Sequence, residues 1–358
     1  MAMEKNSLLA SKAIKSIFAI VVIVCIGLFC KDWLIPQNAT KDPLVLAISP
    51  YQDLAMIVNI DSLGLPQKYN TPIELKTMAW EEILTSVASA GKTVDVGFGS
   101  LVEFITQEAN LNKGDDDDIM FLYPAYIYKG GGFVSLDNRM PILAKEKMQN
   151  EIIVKDFLSR RIGAQKNSIY EMMIFSLANR YGIDFKSVEM FDIPLNDGIY
   201  ALENKSLELT SAGLTQKNEV LNLGGQINLT MDDLGFADVT GFICKKKVYN
   251  EKKEQIHNLI KMWYDCVSYV MVDIENNSKQ SMEYLRKNAS TQYSIEQYKI
   301  ALSQEYFPLS IVESNNEIIS DSGSFSYKKI SEDIADYVFA KGLVKQKPRI
   351  PMLITISE

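Results

Sequence analysis

One arrangement in this chain recurs, and it limits the fold more than any other feature. "LVLAISPYQDLAMIV" (44–58) reads as a strand, a Ser-Pro-Tyr turn and a helix start; "TPIELKTMAWEEILTSVASAG" (71–91) as strand, turn, helix; "KTVDVGFGS" (92–100) as a strand ending at glycine. Downstream, "RIGAQKNSIYEMMIFSLANRYG" (161–182), "SVEMFDIPLNDGIYALENKS" (187–206) and "LELTSAG" (207–213) repeat that order. Matching starts at Leu44 and Arg161, Ile73 and Val188, and Val94 and Leu207 lie 117, 115 and 113 residues apart. A solenoid repeat would span ~20–50 residues. The chain therefore carries two similar βαβαβ units, each expected to form a mostly parallel sheet with helices on both faces.

Such sheets bind ligands outside the carboxyl ends of their strands. Two lobes facing each other would enclose a cleft between both sets of ends. The apolar segments "DIMFLYPAYIY" (118–128) and "FADVTGFICKK" (236–246) read as crossovers, with "KGGGF" (129–133) as the hinge or loop of the first. This divides the chain into a first part of lobe one (43–128), lobe two (129–238), and a return to lobe one with C-terminal helices (239–358). In one of those helices Ile256, Leu259, Ile260, Trp263, Val267 and Val270 share a face. Ser294-x-x-Gln297 and Ser331 read as later helix caps.

The chain's N-terminus has a different character. Lys5, Lys12 and Lys15 precede "SIFAIVVIVCIGLFC" (16–30), which carries no charge. This is a basic flank and an apolar core of signal-peptide length, slightly short of the ~20 residues of a full span. Residues 1–35 are read as a signal or anchor helix and 36–42 as a linker, which puts the remainder outside the cytoplasmic membrane. Cys25 and Cys30 lack the small preceding residue of a lipoprotein box, so a retained anchor is favoured over lipidation. Cys244 and Cys266 sit in apolar patterns and read as two separate buried thiols rather than a disulfide. A net charge of −8 without a basic cluster argues against a nucleic-acid partner.

The quoted segments 44–100, "RRIGAQKNSIYEMMIFSLANRYGIDFKSVEMFDIP" and "LGGQINLTMDDLGFADVTGFICKKKVYNEKKEQI" resemble the periplasmic solute-binding proteins of nitrate, sulfonate and taurine ABC transporters. The resemblance runs over about residues 43–345 as scattered short motifs. It implies a two-lobed (Venus flytrap) periplasmic-binding-protein fold, monomeric in its soluble part, that closes on a small solute and delivers it to a membrane permease. It also places ligand contacts in the turns after the strands: Ser49, Tyr51, Ala79, Trp80, Gly99 and Ser100 in lobe one; Asn167, Ser168, Tyr170, Ala212 and Gly213 in lobe two. Asn167 stands where the family often has glycine, and Glu208-Leu209 replace its Asp-Ala. Lys166 is the one cation in the matched turns, which weighs against a strongly anionic ligand.

Each candidate also has a plainer reading. Ser168 and Glu171 have capping-box spacing, as do Ser49 and Gln52. Trp80 suits the apolar wall of a pocket better than core filler. Glu81 and Glu171 fall in first helical turns, where carboxylates favour the dipole; facing a cleft, they would repel anions and welcome an amine. "GDDDD" (114–118) lacks the alternate ligand spacing of a calcium loop and reads as a solvated loop. "SAGKT" (89–93) precedes a strand instead of opening a helix, unlike a phosphate loop. His257, the only histidine, is expected on an exposed helix face. Neither a metal cluster nor a cofactor fingerprint is evident. Solute capture is the first expectation. A membrane-tethered sensor of the same fold is the alternative, and an enzyme similar to those of thiamine-pyrimidine synthesis is a more distant one.

Overall fold

A computed structural model describes residues 42–356, apart from 90–92, 113, 145–148 and 290–291. The reading of 1–35 as an anchor and 36–41 as its linker falls outside the described residues, as does most of 89–93. Among the described residues, no helix is long and apolar enough to cross a membrane.

The first lobe is built on five strands: β1 (Leu44–Ile48), β2 (Ile73–Thr77), β3 (Val96–Ser100), β4 (Ile119–Tyr128) and β10 (Asp238–Lys245), in the order β2-β1-β3-β10-β4. β1 is parallel to β2 and β3, while β10 is antiparallel to both β3 and β4. The second lobe holds β5 (Gly132–Ser135), β6 (Ile162–Gly163), β7 (Met190–Phe191), β8 (Leu209–Ala212) and β9 (Gln226–Thr230), in the order β7-β6-β8-β5-β9. Its directions repeat those of the first, with β5 as the reversed strand. Each sheet is thus mixed, with four strands running one way. The reversed strand in each is the one that arrives from the other lobe.

The run of glycines after β4 is demanded by crowding at this crossover. A Cβ on Gly130 would sit 2.2 Å from Glu305 Oε1, and one on Gly132 would sit 2.4 Å from the Leu229 carbonyl oxygen. The Glu305 carboxylate accepts from the backbone N–H groups of Lys129 at 2.5 Å and Gly130 at 3.1 Å, tying the crossover to the C-terminal helices.

The helix Lys246–Val272 covers the first sheet with the apolar face read from its periodicity; Ile256, Leu259, Ile260, Trp263, Val267 and Val270 are fully buried. Trp263 lies 5.1 Å from Phe98 between ring centroids, and its indole N–H donates to the Ala125 carbonyl at 3.1 Å. That pins the sheet strand whose next side chain is Tyr126. Cys244 and Cys266 are buried free thiols.

Some local expectations change. Ser294 and Gln297 form the capping box, but Ser331 lies inside the helix Tyr327–Ala340 and donates to the Tyr327 carbonyl at 2.6 Å; Ser326 is the cap there. His257 is partly buried rather than exposed, because Tyr249, two helical turns earlier, reaches its Nε2 at 3.1 Å. Asp115–Asp117 are exposed, and Lys245 and Lys246 pair with Asp117 and Asp116 at 3.6 and 3.2 Å.

Candidate functional site

The lobes are closed on each other, and a cavity lies between them with about 710 Å³ of empty space, its open mouth included. Six parallel strand ends, those of β1–β3 and β6–β8, feed it. Tyr51 follows β1, Trp80 follows β2 and Ser100 ends β3. Across the gap Gln165 and Ser168 follow β6, Leu195 follows β7 and Gly213 follows β8. The duplicated topology thus turns two sheets' carboxyl ends towards one space.

Of the residues expected from the turns, Tyr51, Trp80, Ser100, Ser168, Tyr170 and Gly213 line this cavity. Ser49 and Ala79 line a neighbouring groove instead. Ser49 is fully buried and donates to the Met78 carbonyl at 2.9 Å, bracing the ends of β1 and β2. Gly99, Asn167 and Ala212 are not on the cavity wall. Gly99 pairs with Gly241 inside the sheet, where Ile243 occupies the space of its missing side chain. Ala212 pairs with Gly132. Asn167 takes the left-handed conformation (φ 59°) that glycine would otherwise supply.

The Ser168 box does not form. Ser168 Oγ donates to the Gln165 carbonyl at 2.6 Å, while the Glu171 carboxylate accepts one residue earlier than a box requires, from Asn167 N–H at 2.6 Å. Glu171 also turns away from the cleft: Lys341 Nζ lies 2.5 Å from it and Tyr337 donates to it at 3.1 Å. The extra turn residue in "QKNS" displaces the acceptor, and the C-terminal helix supplies better partners. Glu81, in contrast, does line the cavity. Gln52 does not cap with Ser49; it is buried and lines the cavity too.

The remaining wall residues come from the crossovers and the first turn of a helix. Tyr126 and Tyr128 project from β4 at period two, and Asp238 and Thr240 do so from β10. Glu103 stands one turn into the helix Leu101–Leu111, capped by Ser100. Their signal in the sequence was an alternation inside two segments that read simply as apolar. Asp53 had no signal beyond its closeness to Tyr51.

Four carboxylates, all from the first lobe, line the cavity: Asp53, Glu81, Glu103 and Asp238; Lys, Arg and His are absent from its lining. Trp80 Nε1 donates to both Glu103 oxygens at 3.0 and 3.1 Å. Glu103 is open only in part, and burial, aided by Asp238 and Glu81, pushes its pKa up to about 8 against the pull of that indole. Burial likewise raises Asp238 to about 6, although Ser100 Oγ donates to it at 2.5 Å and Val102 N–H at 3.3 Å. Asp53, which accepts from Tyr126, is raised by burial as well. Five aromatic rings stand round these acids: Tyr51, Trp80, Tyr126, Tyr128 and Tyr170. Tyr51 and Trp80 are 6.4 Å apart between centroids.

Contacts across the gap hold the lobes together. The hydroxyls of Tyr128 and Tyr170 lie 2.8 Å apart, Thr215 bonds Tyr293, and Lys217 Nζ donates to Gln304 Oε1 at 3.3 Å. Lys166, the cation of the matched turns, lies 3.9 Å from Asp192 and is not on the wall.

No known family profile matches the chain, and no curated protein matches its sequence. Its fold matches solved structures. The periplasmic aliphatic sulphonate-binding protein SsuA from Escherichia coli superposes with a TM-score of 0.62 at 14% identity, covering 86% of this chain and 95% of that one. The ligand-binding component of an ABC-type import system from Staphylococcus aureus, solved with zinc bound, gives 0.61 at 14% identity, with 86% and 94% covered. The periplasmic nitrate-binding protein NrtA from Synechocystis PCC 6803 gives 0.59 at 12% identity, with 85% and 82% covered. The chain has the two-lobed periplasmic-binding-protein fold.

Proposed function

We propose that this chain is the extracytoplasmic solute-binding component of an ABC importer, capturing a small polar solute between its lobes and presenting it to a membrane permease. The observation that carries this reading is a cavity walled by both lobes at once, with the ends of β1–β3 and β6–β8 contributing. A ligand there touches the second lobe only when the cleft is shut, so its contacts shift the population towards the closed form. The wall combines carboxyl groups with aromatic rings, a set suited to holding a small polar solute. The similar structures are binding proteins for solutes by their names, which supports the same role.

Trp80 is the wall residue best placed to test this. Its ring lies 6.4 Å from that of Tyr51, its indole donates to Glu103, and it remains partly exposed. Trp80→Ala should weaken solute binding by roughly 10–100-fold, as for a lost aromatic anchor worth ~1.5–3 kcal/mol, with far-ultraviolet circular dichroism unchanged. Calorimetry on both proteins measures it; equal affinity removes Trp80 from the site.

The location outside the cytoplasmic membrane, held by the apolar segment 16–30, is part of the proposal. Alkaline carbonate extraction should leave the full-length chain in the membrane pellet. Release into the supernatant would mean that the segment is cleaved.

A further inference from the structure

We propose that the captured solute is a small organic cation, a protonated or quaternary nitrogen compound, whose charged head sits against Glu103 inside the box of Trp80, Tyr51 and Tyr170. This rests on the solute-binding reading and names the ligand class for the same cavity.

The charge on the wall decides the class. Every ionisable acid lining the cavity is a carboxylate, and no cationic side chain lies among them. An anion brought to within ~5 Å of one such carboxylate in its ionised form meets roughly 3 kcal/mol of repulsion at an effective dielectric of about 20, and no ammonium on the wall offsets it. The Lys217 ammonium is buried and donates to Gln304 instead. A cation gains the same terms with the opposite sign. It also gains from the rings, whose faces attract ammonium groups by about 0.5–2 kcal/mol each when desolvated. The similar structures named for sulphonate and nitrate share the fold at under 15% identity, which carries no ligand class with it.

A second, independent feature bears on what else the ligand carries. Gln52 is only 5% exposed and lines the cavity. Its Oε1 accepts from Tyr293 at 3.3 Å and Thr215 at 3.4 Å, which fixes the amide with its nitrogen left over. That nitrogen makes no hydrogen bond among the described residues, and neither does the Tyr51 hydroxyl; both residues line the cavity, so both donors are available to a ligand. The ligand therefore carries a hydrogen-bond acceptor, a hydroxyl or carbonyl oxygen, along with its charged nitrogen.

Protonation gives the inference a signature. Around Glu103 stand Trp80 and Glu81 on one helix, Asp238 on β10, Asp53 and Tyr51 after β1, Tyr126 and Tyr128 on β4, and Tyr170 from the other lobe. Burial holds a proton on Glu103 up to about pH 8 in the empty site. A quaternary cation, which cannot titrate, must expel that proton, so its affinity rises with pH through neutrality. A neutral ligand reading Glu103 as a donor would show the reverse.

The test is calorimetry on the intact protein with choline, tetramethylammonium, methanesulfonate, nitrate and cytosine between about pH 6 and pH 8.5. Choline should bind, tetramethylammonium should bind at least ~10-fold more weakly for want of the acceptor, and choline affinity should rise with pH. Glu103→Gln should cut choline affinity by ~100-fold or more and remove the rise in affinity between about pH 7 and pH 8.5. Asp238→Asn, at a second position, should cut it too, so that one unfolded variant does not decide the matter. Binding of methanesulfonate, nitrate or cytosine in place of the cations would overturn the cation assignment and leave solute capture standing. Binding of none of the five would overturn the assignment, and failure of a mixed metabolite extract to shift the thermal midpoint would overturn solute capture as well.

Discussion

Lys341→Met should destabilise the folded protein by roughly 3–5 kcal/mol, the usual cost of leaving one member of a buried ion pair without its partner. Lys341 is on the residue that closes the C-terminal helix, and that helix packs against both the first-lobe helix Leu101–Leu111 and the second-lobe helix Ile169–Arg180. Its ammonium lies 2.5 Å from the Glu171 carboxylate, whose side chain is 3% exposed against 14% for the lysine. Removing the ammonium leaves a carboxylate with only the Asn167 N–H and the Tyr337 hydroxyl. Adding Glu171→Gln should recover most of the loss, since an amide suits the hydroxyl and needs no counter-ion. A urea titration of wild type, single and double variants gives the cycle. A single variant as stable as wild type would mean that the pair contributes nothing. The effect should also reach the cleft, because the pair joins the two lobes: a weaker joint favours the open form and lowers ligand affinity with the cavity wall intact.

Stability of the ligand-free protein should fall by several kcal/mol between about pH 5 and about pH 8. Glu103 and Glu305 are pushed from the ordinary 4.5 to about 8, and Asp238 from 3.8 to about 6, in each case chiefly by burial. Between its unfolded and folded pKa such an acid keeps its proton when folded and loses it when unfolded. The folded state binds more protons there, so unfolding becomes easier as pH rises. Asp137 and Glu283, held near 2 by arginines, act below this window. His257, lowered by burial, and Lys217, lowered by burial to about 8, pull the other way. Urea midpoints at the two pH values measure the slope, and a bound quaternary cation should flatten it. A midpoint that rises with pH in the absence of ligand would contradict the assignment of buried protons to these three acids.

Much of the architecture was legible because it rests on periodicity. The βαβαβ units at near-constant offset prescribed both sheets, and the helix face from Ile256 to Val270 is buried as its spacing requires. The cleft followed from the same reading, and the resemblance supplied the turn residues Tyr51, Trp80, Ser100, Ser168, Tyr170 and Gly213 that line it. Residues within those turns were harder to sort. Ser49 just past β1, Gly99 within β3 and Ala212 at the end of β8 are held in the sheet's own packing and not turned towards the ligand space. Glu171 was drawn off by a helix from the far end of the chain, which no local pattern reveals. The acids themselves were the least legible. Asp238 and Glu103 become a pair only once β10 lies beside β3, and a long-range juxtaposition leaves no mark on either neighbourhood. Ser331, expected as a cap, lies inside its helix because Ser326 caps it, and His257, expected to be exposed, is partly covered by Tyr249.

The reversed strands give the two lobes, alike in topology, opposite histories during synthesis. In the second lobe the reversed strand β5 is made first, so each later strand of its sheet finds a partner soon after it emerges. In the first lobe β10 must slip between β3 and β4, both made long before it. Until residues 238–245 leave the ribosome, "IMFLYPAYIY" is an apolar ten-residue strand with an open edge and no neighbour to cover it. Such a segment is prone to mispairing. The nascent protein is therefore most in need of a holding chaperone between the emergence of β4 and that of β10, and the lobe begun first is the lobe finished last.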